Sequence, residues 1–100
     1  MKHSAWIYDL EQFQNFHSIT AINRNTNEIV QFVIHESRND IDAYLSFLKS
    51  CKAMIGFNNL GYDYPLLHFL INNAKNFKDA NYANELLYNQ SQKIINEDNS

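Results

Sequence analysis

Three extended segments follow one another before the first helical pattern, and that order restricts the fold more than any other feature of the chain. Ala5-Trp6-Ile7-Tyr8 is a short apolar run that reads as a buried strand ending at Asp9. Phe16 to Ile22 alternates loosely, with Ile19 and Ala21 separated by polar Thr20. Asn23-Arg24-Asn25-Thr26-Asn27 is a turn, because asparagine tolerates left-handed backbone and bonds its own main chain. Ile29 to Ile34 is a third strand with Val30, Phe32 and Ile34 on one face. Together these segments predict an antiparallel meander.

The pattern then changes period. Asn39 opens a helix, with Asp42 three residues on as a variant capping box, and Ile41, Tyr44, Leu45 and Leu48 face the sheet. Ala53-Met54-Ile55-Gly56-Phe57 is apolar enough for a parallel strand covered on both faces. A loop covers Asn58 to Tyr62, and Pro65 sits in the first turn of the next helix. Lys75 to Asp79 breaks the pattern before a last helix from Tyr82 to Ile95, with Leu87, Ser91, Ile94 and Ile95 inside. The order β-β-β-α-β-α-α is that of an α/β domain and resembles a ribonuclease-H-like layer that is incomplete at its C-terminus. Without the last strand-bearing part, the fourth strand is expected to be an apolar sheet edge, which favours a homodimer through that edge.

Composition narrows the class. At 100 residues the chain makes one small domain, and 45% hydrophobic residues against 19% charged ones exclude a disordered segment. No apolar run is long enough for a membrane. Cys51 is the only cysteine, which removes an intrachain disulfide or a thiolate zinc cluster and suits a cytoplasmic setting. A net charge of −3 argues against wrapping long duplex by phosphate neutralisation. It is compatible with carboxylates gathered for metal ions.

Asp9 and Glu11 are such carboxylates. Two residues apart on a strand, they leave the same face. Hard cations such as Mg²⁺ or Mn²⁺ take carboxylate oxygens, and two ions about 4 Å apart can activate water and stabilise a leaving oxygen. Asp-x-Glu is common, and an exposed pair with no role is the plain alternative. Asp63 adds a second segment: it follows a strand through a loop and lies at a helix start, where ligands of open α/β sheets sit. There the plain alternative is a helix cap in a turn shaped by Asn and Gly.

Taken together, Tyr8-Asp9-Leu10-Glu11 and Gly56-Phe57-Asn58-Asn59-Leu60-Gly61-Tyr62-Asp63-Tyr64-Pro65-Leu66-Leu67 resemble two motifs of the DEDD 3′–5′ exonucleases. The likeness is to proofreading domains of phage-type DNA polymerases and covers residues 5–72. It implies that Asp9 bridges two ions, Glu11 holds one ion and the terminal hydroxyl, and Asp63 supports the second ion. Gln12, Asn59 and Tyr62 would contact the single-stranded DNA 3′ end, with Asn58 competing for the role of Asn59. Gln12 stands where polymerase-associated members carry a small hydroxyl residue. The third motif, Tyr or His four residues before an Asp, has no match after Asp63, since Tyr82 and Tyr88 are followed at that spacing by Leu86 and Gln92. The resemblance therefore implies a partial site, inactive alone and completed by a missing C-terminal part.

The other candidates read more plainly. His3, His17, His35 and His68 form no pair at ligand spacing. Cys51 packs as a small hydrophobe, and Lys49, Lys52, Lys75 and Lys78 read as a solvated face, with tracking of a phosphate backbone as the alternative. Two other functions remain open: an RNA-trimming member of the same superfamily, and a non-catalytic exonuclease-like interaction module.

Overall fold

A computed structural model describes residues 5–51, 53–56 and 63–98. Strand β1 (Ala5–Phe13) turns at Gln14 and Asn15 into β2 (Phe16–Asn23), which leads to β3 (Ile29–His35) and a two-residue β4 (Arg38–Asn39). Helix α1 (Ile41–Ser50) crosses to β5 (Ala53–Gly56); α2 (Asp63–Asn73), a 3₁₀ turn (Ala74–Asn76) and α3 (Ala80–Asp98) follow. The sheet order is β4-β3-β2-β1-β5, with β1 to β4 antiparallel and β5 parallel to β1. The chain is thus an α/β domain, and among the described residues β5 lies at the sheet edge, as expected.

The meander forms where its residues dictate. Asn23 Oδ1 accepts from the amides of Asn25 (2.8 Å) and Thr26 (3.1 Å), and Asn27 carries the positive φ of 62°. The predicted turn therefore holds in detail. Strand β1 is longer than its apolar run implies, and the expectation that it ends at Asp9 is corrected. Pairing with β2 continues from Trp6↔Asn23 to Phe13↔Phe16, so Asp9 is a mid-strand residue. Only the parallel pairing with β5 stops early, at Tyr8↔Gly56.

The expected capping box at Asn39 and Asp42 is also corrected. Asp40 is the N-cap, and its side chain makes no cap bond. Its carboxylate instead accepts from the Val33 amide (2.9 Å) and Arg38 Nε (2.7 Å). Asn39 Oδ1 accepts from the Ile41 amide (3.1 Å), while Asp42 pairs with Lys78 on the surface.

One sheet face carries Trp6, Tyr8, Leu10, Ile19 and Ala21 against the helices, in one core with Tyr44, Leu66, Leu70, Phe77 and Leu87. The shortest principal extent is 19 Å, room for one sheet and one helical layer. Ile41 and Tyr44 are buried as expected, and so are Leu87, Ser91 and Ile94 of α3. Ile95 is exposed instead, because α3 begins at Ala80, capped by Asp79, and turns Ala83 and Asn84 inward. No helix among the described residues is long and apolar enough to cross a membrane.

Candidate functional site

Alternation along β1 separates two sets of side chains. Trp6, Tyr8, Leu10 and Gln12 lie toward the helices; Ile7, Asp9, Glu11 and Phe13 are exposed on the other face. Strand pairing extends this second set into rows. Ile7 aligns with Ile22 and Ile29, Asp9 with Thr20 and Gln31, Glu11 with Ser18 and Val33. Beyond them Phe13 pairs with Phe16, whose ring stacks on His35. Two rows headed by the β1 carboxylates, one of them ending in buried Ser18 and Val33, thus lie between an aliphatic row and an aromatic one.

Asp9 is the residue after the last β1·β5 pair, so its position is beside the carboxyl end of β5. It borders a hollow of about 480 Å³ lined, among the described residues, by Ile7, Tyr8, Asp9, Thr20 and Ile22. Thr20 Oγ1 accepts from Gln31 Nε2 at 3.2 Å, which orients the hydroxyl in the same row as Asp9. Asp9 and Glu11, as i and i+2, stand about 7 Å apart along the strand. Their oxygens suit a hard divalent cation, and the hollow leaves space for a phosphate-sized group.

Asp63 opens α2, but its side chain lies outside the described residues, as do Asn59 and Tyr62 altogether. Among the described residues no group of three or more histidine, cysteine or acidic side chains is gathered for a metal ion. Asp9 and Glu11 thus stand as a pair.

Gln12 belongs to the covered face, where its amide is fully engaged. Its Oε1 accepts from His17 Nδ1 at 2.7 Å, and its Nε2 is shared among Phe13 O (2.8 Å), Phe16 O (3.1 Å) and Asn84 Oδ1 (3.0 Å). Since Oε1 can only accept, Nδ1 carries the His17 proton and Nε2 accepts from the Tyr44 hydroxyl at 2.9 Å. Asn84 Nδ2 donates to Ile34 O at 2.8 Å. This network joins β1, β2, β3, α1 and α3 on the face of the sheet opposite Asp9 and Glu11. Burial of His17 lowers its pKa from 6.5 to about 3, so the imidazole is neutral at neutral pH. Gln12 acts on the site from below, as a support for β1. The small hydroxyl found at this position in the resembling family would leave His17 and Asn84 without these bonds.

Sequence reasoning missed His17, Tyr44 and Asn84 as a network, because a lone polar residue at an inward position carries no partner label. It also missed the row Phe13, Phe16 and His35, whose signal is two phenylalanines flanking the Gln14–Asn15 turn. A scan against protein-family models finds no match, and searches of curated proteins and of solved structures find none either.

Proposed function

We propose that the open face of this sheet is part of a two-metal 3′–5′ exonuclease site in a ribonuclease-H-like fold, acting on single-stranded DNA 3′ ends. The observation that carries the proposal is the placement of Asp9. An exposed carboxylate follows the last β1·β5 pair, with Glu11 on the same face and a hollow beside it. The sheet order and the two sequence motifs support the same reading. The oxygen-only donor set fits Mg²⁺ or Mn²⁺, and bound ions would supply activation of water and charge neutralisation of the leaving oxygen. The chain's own residues have separate tasks. Asp9 and Glu11 would hold the ions, and by the sequence resemblance Asp63 would support the second ion while Asn59 and Tyr62 would contact the strand end. The Gln12–His17–Tyr44–Asn84 network keeps the β1 backbone rigid under them, as metal ligands require.

The fourth carboxylate and the general base of the resembling family have no counterpart among these 100 residues. The test therefore uses the protein as it occurs naturally. With Mn²⁺, 5′-labelled single-stranded DNA should shorten one nucleotide at a time from its 3′ end, and Asp9→Ala should lower the rate at least about 100-fold. Faster trimming of an RNA of the same sequence would favour the RNA-directed member. Unchanged degradation by Asp9→Ala would refute the site. The exposed row Ile7, Ile22 and Ile29 favours a second reading, an exonuclease-like interaction module docking through this face. It predicts no degradation under any of these conditions.

A further inference from the structure

The aromatic row at the turn end of the open face takes no part in the core: neither Phe13, Phe16 nor His35 belongs to the buried cluster or packs on it. Phe13 is 57% exposed. Its ring lies 6.2 Å from that of Phe16, and Phe16 stacks on His35 at 6.0 Å with an interplanar angle of 14°. The Ser37 amide donates to His35 Nδ1 at 3.0 Å, which fixes the ring. Beside the rings is a hollow of about 390 Å³ whose other lining residues are polar: Asn15, Glu36, Ser37 and Asn81.

We propose that Phe13, Phe16 and His35 form a stacking platform for a nucleobase of the single-stranded substrate, upstream of the nucleotide held at Asp9 and Glu11. The inference rests on the exonuclease reading and extends it to substrate binding. Three observations select this occupant. The platform continues the face that carries the carboxylates, with Phe13 about 7 Å beyond Glu11 along β1. Its surface is aromatic while its rim offers amide and hydroxyl groups, which matches a base with an apolar face and a polar edge. An apolar helix would leave that polar rim unpaired. The Glu36 carboxylate in the lining of this hollow repels phosphate, so the base rather than the backbone is the group accepted here.

The test measures binding of a 5′-fluorescein-labelled thymidine decanucleotide to the full chain by fluorescence anisotropy, with Ca²⁺ present. Phe13→Ile keeps a strand-forming apolar residue, and Phe13→Trp keeps an aromatic face. The platform predicts about ten-fold weaker binding by Phe13→Ile, since loss of one stacked base typically costs that much or more. It predicts binding at or above the wild-type level by Phe13→Trp. Mn²⁺ affinity and the thermal midpoint should be unchanged in both. Equal decanucleotide affinity for wild type and Phe13→Ile overturns the platform, as does an equal loss in both variants. If Mn²⁺ still binds at Asp9 in either case, the platform alone fails. Absence of both Mn²⁺ and decanucleotide binding in the wild type removes the exonuclease reading together with it.

Discussion

Lowering the pH from 7.5 to 4.5 should destabilise this protein by about 2–3 kcal/mol through His17 alone. In the folded chain burial depresses the His17 pKa to about 3; the ordinary value is 6.5. Below 6.5 the unfolded chain takes up a proton that the folded chain refuses, so stability falls with falling pH. The loss continues until the folded pKa near 3 is reached and then levels off. At full extent it amounts to about 4–5 kcal/mol, a large share of the 5–15 kcal/mol that usually holds a domain together. The structure shows why the proton is refused. Nε2 already accepts from the Tyr44 hydroxyl, Nδ1–H already serves Gln12, and among the described residues no carboxylate pairs with the ring to compensate a charge. Urea unfolding of wild type and His17→Gln at the two pH values checks this. The wild type should lose about 2–3 kcal/mol more than the variant over the interval, with the variant less stable at pH 7.5. Parallel losses would show that His17 titrates normally in the folded state.

Phe77→Ala should lower stability by about 3–5 kcal/mol and the thermal midpoint by roughly 20 °C. Phe77 is fully buried in the core although it lies between helices. Its amide bonds the Ala74 carbonyl, and its own carbonyl accepts from Asn39 Nδ2 at 3.0 Å. Asn39 also bonds the Lys78 carbonyl, so one side chain fastens the α2–α3 connection to the start of α1. The aromatic ring plugs the corner where these elements meet, and truncation leaves a cavity that three short segments cannot jointly close. Lys75→Ala, two residues away on the surface, should change stability by less than about 0.5 kcal/mol. Circular dichroism melts of both variants measure the contrast, and a loss below about 1 kcal/mol for Phe77→Ala would refute the plug.

Phe77 also marks where the sequence stopped being readable. Period-two and helical spacing revealed the meander, the inner faces of α1 and α3 and the parallel fourth strand, since those patterns reflect local geometry. Lys75 to Asp79 has no period, and a single buried ring inside a break cannot be told from an exposed one. The end of β1 was misplaced for a related reason. Asp9 and Glu11 interrupt the apolar run, yet they sit on the uncovered face of a strand that β2 pairs through to Phe13. The same feature that hides the strand exposes the two carboxylates of the proposed site. Asn39 was recognised as a helix start, but its real work is long-range, and spacing within the chain carries no trace of a bond to Phe77 or Lys78. Gln12 follows the same logic. The resemblance implies a contact between Gln12 and the strand end, whereas alternation along β1 places it inward, facing His17 and Asn84.

The proposed function rests on Asp9 and Glu11 as the metal-binding side of an open sheet face. Titration of Mn²⁺ into the purified chain by isothermal calorimetry tests it most directly. Two exposed carboxylates with hard oxygen donors should bind on the order of 10⁻⁴ M or weaker. Binding should disappear in Asp9→Ala and weaken in Glu11→Ala, while both variants keep the wild-type thermal midpoint because neither side chain is buried. No Mn²⁺ binding by the wild-type chain, or equal binding by wild type and Asp9→Ala, would contradict the account.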